Sequence, residues 1–116
     1  MKDEMSTGLG KVNIYKNVIA SIASIATVEI EGVLKIGSSF KSIVYELLGK
    51  KNNTAGITVN FDKNGSVTID VPVVIKYGFN LPEVAGRIQE NIKSSVERTT
   101  DVMVKDINVD IQSVER

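Results

Sequence analysis

The first half of the chain carries apolar residues at two different spacings. Val12 and Ile14 alternate with polar neighbours, which predicts a short strand. Over 16–31 the apolar residues instead recur every three or four positions, which predicts a helix that stops at Gly32. These residues are Val18, Ile19, Ile22, Ala23, Ile25, Ala26 and Ile30. A second helix is predicted over 39–48, where five residues form one apolar stripe: Phe40, Ile43, Val44, Leu47 and Leu48.

Alternating apolar and polar residues predict a hairpin in the second half of the chain. Its first strand ends at Phe61 and its longer second strand begins at Val67. A two-residue turn at Asn64-Gly65 would set Phe61 opposite Thr68, an apolar residue against a polar one. A three-residue loop sets Phe61 opposite Val67 and keeps the apolar residues on one face. We therefore expect a loop over 63–65 with Gly65 in the left-handed conformation.

The long second strand of this hairpin has one apolar face, formed by Val67, Ile69, Val71, Val73, Ile75 and Tyr77. Pro72 lies within it and cannot donate to a strand ladder, so part of the strand should lie at a sheet edge or a bulge. A third helix is predicted over 81–99, because Asn80 and Glu83 form a capping-box-like pair at its start. Opposite charges four residues apart predict the surface pairs Glu83–Arg87 and Lys93–Glu97.

The last strand is predicted to turn three residues inward, namely Ile107, Val109 and Ile111. Val102 and Val104 are out of phase with them, so we expect a kink near Lys105-Asp106. The element order predicts an α/β (α+β) two-layer sandwich with helices on one face. Its sheet has three strands in a mixed arrangement plus the short N-terminal strand, around a KH-like helix–hairpin–helix–strand core. Residues 1–9 are predicted to be a flexible tail and 10–116 a single domain.

Composition removes several classes of chemistry. The 116 residues include 14 Lys+Arg and 14 Asp+Glu, so the basic excess typical of nucleic-acid binders is missing. Cys, His and Trp are absent, which excludes disulfides, thiolate chemistry, the usual zinc ligand sets and imidazole catalysis. We expect no cofactor, no metal and no catalytic residue. The longest uncharged run, 17–28, is shorter than the roughly 20 residues of a spanning helix, so we expect a cytoplasmic protein without direct membrane insertion.

Paired carboxylates are the acid–base chemistry that this composition still permits. Glu29 and Glu31 lie two apart on the predicted helix and point in different directions. Asp70 and Asp110 share the open face of the predicted sheet, and with Asn108 they offer oxygens to a hard metal ion. No metal-binding spacing motif accompanies them, so we interpret them as solvated strand positions. The stretch 8–11 lacks the glycine spacing of a phosphate-binding loop.

The predicted core is similar to folds of KH-type readers of single-stranded RNA. Those proteins clamp the RNA backbone with a G-x-x-G loop, and this chain has no such motif. The open sheet face offers no stacking aromatic residue, only Thr58, Asn60, Thr68, Asp70, Asn108 and Asp110. RNA binding is therefore kept as the alternative to a protein-interaction role.

One helix face is a candidate protein interface. Away from the apolar stripe, the first helix carries small, uncharged residues, namely Ala20, Ser21, Ser24, Thr27 and Val28. Charge is depleted at the cores of protein interfaces, so this face suits contact with another protein. The alternative is that the helix over 39–48 covers it within the same molecule.

Several segments together resemble the alkaline shock protein family, cytoplasmic envelope-stress proteins of Gram-positive bacteria. The resemblance extends over 10–114 and rests on Gly10-Lys11-Val12-Asn13-Ile14, Val18-Ile19-Ala20, Ile22-Ala23, Glu31-Gly32-Val33, Gly56-Ile57-Thr58-Val59, Tyr77-Gly78, Leu81-Pro82-Glu83-Val84, Ile88-Gln89-Glu90-Asn91-Ile92-Lys93, Thr99-Thr100 and Val104-Lys105-Asp106-Ile107-Asn108-Val109-Asp110-Ile111. Two residues depart from the family pattern: Tyr15 replaces a small capping residue, and Asp101 replaces a common Gly.

The resemblance implies a non-enzymatic protein of envelope homeostasis that self-associates as a homo-oligomer. It also implies, for some members, a position at the inner side of the membrane through a membrane-anchored partner. We therefore expect a non-catalytic cytoplasmic envelope-stress protein that acts by self-association and protein–protein contacts. A small KH-like RNA-binding module is the alternative, and salt-sensitive binding to single-stranded RNA separates the two.

Overall fold

The computed structural model describes residues 9–38 and 56–116, which form two helices and four strands. In chain order the elements are α1 (Leu9–Val28), β1 (Val33–Ile36), β2 (Thr58–Phe61), β3 (Val67–Lys76), α2 (Leu81–Thr99) and β4 (Val104–Glu115). Both helices contribute to one core with the inner face of the sheet. The predicted α+β two-layer sandwich is therefore confirmed, with a mixed sheet.

Strand β3 lies at the centre of this sheet. Strand β4 pairs with it in parallel over 67–76, while β2 and β1 pair antiparallel with 67–70 and 73–75. Because a strand has two edges, β1 and β2 share the edge opposite β4. Pro72 lies at the gap between these two partners, where its carbonyl accepts a hydrogen bond of 2.8 Å from the Gly37 N–H. The N–H group that Pro72 lacks is thus missing at a position where neither β1 nor β2 pairs with β3. The sheet edge that a proline requires is therefore present locally, although β3 is the central strand.

The β2–β3 hairpin has the predicted register. Phe61 lies opposite Val67, and the Asp62 N–H donates to the Ser66 carbonyl at 2.8 Å. The Gly65 N–H donates to the Asp62 carbonyl at 3.1 Å, and Gly65 has φ of 85°. The three-residue loop with a left-handed glycine is therefore confirmed.

Strand β4 contains two bulges that decide which of its residues face the core. Lys105 is an extra residue between the pairs Val67–Val104 and Thr68–Asp106, which confirms the predicted kink. A second bulge at Gln112 shifts the register again before Ser113. The first bulge lets the buried Val104 and Ile107 lie three positions apart rather than two.

Helix α2 has the predicted bounds, and it provides the crossover that the parallel strands β3 and β4 require. Asn80 Oδ1 accepts a hydrogen bond of 2.9 Å from the Glu83 N–H, which confirms the cap. Glu83 also pairs with Arg87 at 2.7 Å. The Lys93–Glu97 pair was wrong, since Glu97 Oε2 accepts from the Val104 N–H at 2.9 Å.

The predicted start of the domain was wrong. Residues 12–14 belong to α1 rather than to a strand, and Leu9, assigned to the tail, is the first residue of that helix. Two alternating apolar residues are a weak strand signal, and Ile14 precedes Val18 by one helical turn, so the helix extends through them. Tyr15 therefore lies inside α1 and caps nothing. The rest of the predicted tail, 1–8, and the predicted helix over 39–48 fall outside the described residues.

The end of α1 also differs from the prediction. The helix ends at Val28 rather than near 31, and Gly32 has φ of 104° in the turn that follows. Strand β1 was not predicted, because four residues carry too little alternation to indicate a strand. At the far end of β3, Tyr77 is exposed and lies beyond the strand, contrary to its predicted place on the inner face.

Candidate protein interface on the first helix

Helix α1 packs against the rest of the domain through Ile19 and several small side chains. The residues that it buries most completely include Ala20, Ala23, Ala26 and Thr27. The Thr27 hydroxyl donates to the Ala23 carbonyl at 2.7 Å, so this buried polar group is satisfied within the helix. Small side chains let the backbone of α1 come close to α2, whose Asn91 side-chain amide donates to the Ala26 carbonyl at 2.8 Å.

The predicted interface residues divide between the two sides of α1. Ala20 and Thr27 are buried in the domain, so their predicted outward position was wrong. Ser21 and Val28 are exposed, and Ser24 is half-buried. The five residues therefore do not form one surface, because the helix is rotated about its axis relative to the predicted orientation.

The rotation exposes apolar residues that the sequence pattern had assigned to the core. Val18 is 42% exposed, Ile25 62% and Val28 54%. Together with the exposed Ser21, they follow one another at intervals of three, four and three residues along α1. We call these four residues the outer face of α1. The signal missed in the sequence was that α1 is apolar on nearly every side, so spacing alone allowed more than one orientation.

The outer face is free of charge along its length. No charged residue occurs between Lys16 and Glu29. Glu29 and Glu31 follow the helix at once, and both are exposed. The outer face can therefore contact another apolar surface without burying a charged group, and its C-terminal end is marked by two carboxylates.

The outer face of the sheet, opposite the helices, has a different chemistry. Strand pairing brings the six polar residues predicted for it together there. Asn108 Nδ2 donates to Asp70 Oδ1 at 2.7 Å, and Asp110 lies opposite Pro72, two residues further along the strands. The amide thus turns a donor, not an oxygen, toward the carboxylate. Within the described ranges no group of three or more His, Cys, Asp and Glu side chains converges on one point.

A shallow groove of about 240 Å³ runs between α2 and the first bulge of β4. Its lining mixes both signs of charge, with Glu90 and Lys93 on the helix and Lys105 and Asp106 on the strand. Gln89 Nε2 crosses it to donate to the Ile107 carbonyl at 2.9 Å. The groove is smaller than most small-molecule sites, and its charges compensate one another.

Neither described helix is long and apolar enough to cross a membrane.

The fold and this surface define a small α+β domain with an uncharged, exposed apolar helix face. Residues 4–116 match the sequence profile of the alkaline shock protein 23 family, described as having a cell envelope-related function. The chain therefore belongs to the alkaline shock protein 23 family. This confirms the resemblance that the sequence motifs indicated.

Similar proteins are known in Bacillus subtilis and Streptococcus pyogenes. The chain is 37% identical to the Bacillus subtilis (strain 168) protein YqhY over 113 residues, which cover 97% of this chain and 83% of YqhY. It is 30% identical over 116 residues to YloU of the same organism, covering 98% of this chain and 96% of YloU. A stress response regulator gls24 homolog of Streptococcus pyogenes serotype M3 is 25% identical over 114 residues, or 97% of this chain and 63% of the homolog. No solved structure matches the chain.

Proposed function

We propose that this protein is a non-catalytic member of its envelope-related family that acts by self-association through the outer face of α1. The observation that carries the proposal is the exposure of Val18, Ile25 and Val28 on a helix without charge between Lys16 and Glu29. Single exposed apolar residues are common on protein surfaces, but an aligned row of them is typical of an interaction site.

The inventory of side chains supports a role without catalysis. The chain lacks His and Cys, the residues that most often shuttle protons or act as nucleophiles near neutral pH. Asp70, a candidate acid, accepts a hydrogen bond from Asn108 and has Thr58 and Asn108 as its strand neighbours. A carboxylate with catalytic properties needs a close carboxylate partner or full burial, and Asp70 is only half-buried.

The alternative, binding of single-stranded RNA, receives little support from the sheet. Asp70 and Asp110 lie on its outer face, where they would repel a phosphate backbone. The face has no aromatic residue for base stacking among its described positions. Protein–protein contact is therefore the better account of this domain.

The proposed cellular setting follows from the family and from this surface. The protein acts in the cytoplasm, and a membrane-anchored protein partner holds it near the inner side of the membrane. Self-association then places several copies at the envelope at once, and that multivalency strengthens attachment without a membrane-spanning segment of its own.

Sedimentation velocity over a range of protein concentrations tests self-association. We expect the wild type to associate and Ile25→Lys to remain monomeric, because a lysine there would bury an unpaired charge in the contact. Met103→Lys is the matched control, since Met103 is an apolar residue of similar exposure (69%, against 62% for Ile25) outside α1. It should associate like the wild type.

Three results would overturn the proposal. The first is a wild type that stays monomeric at high micromolar concentration. The second is a Met103→Lys variant that loses association as fully as Ile25→Lys. The third is a fall in the melting temperature of Ile25→Lys that is independent of protein concentration, which would mean that the same molecule covers the outer face.

A further inference from the structure

We propose that Asn64 is a site of spontaneous deamidation and that the Asp62 carboxylate slows the reaction by holding the β2–β3 loop closed. The proposal concerns one loop of the single chain, so it stands apart from the proposed self-association. It is carried by the residue that follows Asn64, by the exposure of the loop and by the hydrogen bonds that close it.

Asn64 differs from the other asparagines of the chain in the residue that follows it. It alone precedes a glycine, Gly65. In deamidation the main-chain nitrogen of the following residue attacks the carbonyl carbon of the asparagine side chain, and a bulky following residue hinders that approach. Glycine has no Cβ and adopts the widest range of backbone conformations, so it hinders the attack least. The local sequence therefore favours reaction at Asn64 over every other asparagine of the chain.

The reaction needs only water as a co-reactant. Hydroxide removes the proton of the Gly65 N–H group, the nitrogen forms a bond to Asn64 Cγ, and the bond from Cγ to Nδ2 breaks. The leaving nitrogen takes up a proton, so ammonia is released and a cyclic imide remains. Water then opens the imide at either carbonyl, which restores an N–H group and yields aspartate or isoaspartate. Residues 62–65 are all exposed, so water and hydroxide reach the loop.

The closed loop keeps the attacking nitrogen away from the Asn64 side chain. The Gly65 N–H donates to the Asp62 carbonyl at 3.1 Å, which makes its proton less available to hydroxide. Ring closure also requires the Gly65 nitrogen and Asn64 Cβ to be nearly eclipsed about the Cα–C bond of Asn64. In the type I turn of such a loop, ψ at this position is about 0°, which holds the two atoms apart. The reaction therefore requires the loop to open.

Asp62 provides the hydrogen bonds that hold this loop closed. Its Oδ1 accepts from the Asn64 N–H at 2.8 Å and from the Ser66 N–H at 3.0 Å. Its own N–H donates to the Ser66 carbonyl at 2.8 Å. One carboxylate thus fixes the main chain on both sides of the bond between Asn64 and Gly65. Hydrogen bonds to a charged acceptor are among the stronger ones, so loss of this carboxylate raises the population of open loops.

Deamidation changes both the charge and the length of the loop. The new carboxylate lies two residues from Asp62, and the formal net charge of the chain falls from zero to minus one. Isoaspartate also routes the main chain through the former side chain, which adds one carbon atom to the loop. A longer loop no longer suits the pairing of Phe61 with Val67. Because ammonia is lost, the change at this end of the sheet is permanent.

Rates of deamidation with and without urea test the site and the protection by the loop. The protein is kept in mildly alkaline buffer, and peptide mass spectrometry follows the conversion of each asparagine. We expect Asn64 to convert fastest in urea, and roughly tenfold or more slowly in the folded protein, where only open loops react. Asn64→Gln is the control for the site and should abolish the conversion at this position, because glutamine would have to close a larger ring.

Substitution of Asp62 tests its part in closing the loop. Asp62→Ala should speed the conversion of Asn64 in the folded protein roughly tenfold, because two hydrogen bonds that favour the closed loop are lost. Asp62→Asn keeps an acceptor oxygen and should lie closer to the wild type than to Asp62→Ala. Lys63→Ala is the matched control, since Lys63 is an exposed neighbour in the same loop, and it should convert like the wild type. Circular dichroism establishes that each variant is folded.

A core substitution separates opening of the loop from unfolding of the whole domain. Ile88 is fully buried, so Ile88→Val lowers the stability of the domain while the loop sequence is unchanged. We expect this variant to convert Asn64 at the wild-type rate in the folded protein. An acceleration equal to that of Asp62→Ala would mean that global unfolding exposes Asn64, and it would overturn the protection by the loop.

The remaining outcomes bear on separate parts of the proposal. An asparagine that converts faster than Asn64 in urea refutes the site itself. Equal rates at Asn64 with and without urea refute the protection by the closed loop. A rate for Asp62→Ala that matches the rate for Lys63→Ala refutes the role of the carboxylate.

Discussion

The side-chain amide of Asn91 on α2 donates a hydrogen bond of 2.8 Å to the main-chain carbonyl of Ala26 on α1. The last four carbonyls of a helix have no partner inside it, and Ala26 is one of these residues. On either side of it, the carbonyls of Ile25 and Thr27 accept from the Glu29 and Ile30 N–H groups. Asn91 therefore supplies the donor for the Ala26 carbonyl and fixes the rotation of α1 on α2.

We predict that Asn91→Ala lowers the free energy of unfolding by about 1–3 kcal/mol, the cost of leaving a buried acceptor unsatisfied. Urea denaturation monitored by circular dichroism measures this loss. Lys93→Ala is the control on the same helix, and its exposed side chain should make a difference of at most about 0.5 kcal/mol. Equal stability of Asn91→Ala and the wild type would mean that this bond does not hold α1 in place.

The same substitution at two glycines should have opposite effects. A Cβ added at Gly65 or at Gly86 meets no atom within 4 Å, so sterics do not distinguish the two sites. Gly65 has φ of 85°, and Gly65→Ala should cost about 1–2 kcal/mol of backbone strain. Gly86 lies inside α2, where Gly86→Ala should stabilise by about 0.5–1 kcal/mol. Thermal denaturation of both variants checks the sign, and stabilisation by Gly65→Ala would contradict the left-handed loop.

Lysine substitutions at two adjacent positions of α1 should distinguish its buried side from its outer face. Ala20→Lys buries an unpaired charge and should cost at least about 3 kcal/mol in the free energy of unfolding. Ser21→Lys is solvated in the monomer and should change this free energy by no more than about 0.5 kcal/mol. Denaturation at low protein concentration isolates the monomer. Similar losses for both variants would contradict the rotation of α1.

Local signals in the sequence were sufficient to predict α2 and the hairpin. The Asn80 cap and the apolar spacing indicated both ends of α2, because capping and periodicity act within a few residues. The pairing of Phe61 with Val67 followed from the alternation of apolar and polar residues. A slip of one residue would turn the apolar face of the strand toward solvent. The apolar alternation is interrupted near Lys105, and the structure has a bulge there, because an extra residue is needed to keep the apolar side chains on one face.

Long-range packing decided the features that sequence spacing left open. Strand β1 is too short to show a period, and it becomes a strand because β3 offers a free edge beyond Pro72. The Lys93–Glu97 pair was replaced by a bond from Glu97 to the Val104 N–H, and that donor is near only once the chain has turned back after α2. These contacts depend on where distant segments meet, so no local pattern could indicate them.

The sequence by itself determined the α+β class, the family, the hairpin register and the absence of cysteine and histidine chemistry. Only the tertiary structure decided which side of α1 faces outward. Because α1 is apolar on nearly every side, its spacing allows several orientations. The packing of Ala20, Ala23 and Ala26 and the bond from Asn91 select one of them. That choice buries Ile19 together with these alanines and leaves Val18 and Ile25 exposed, because the small side chains let the backbone of α1 approach the core closely.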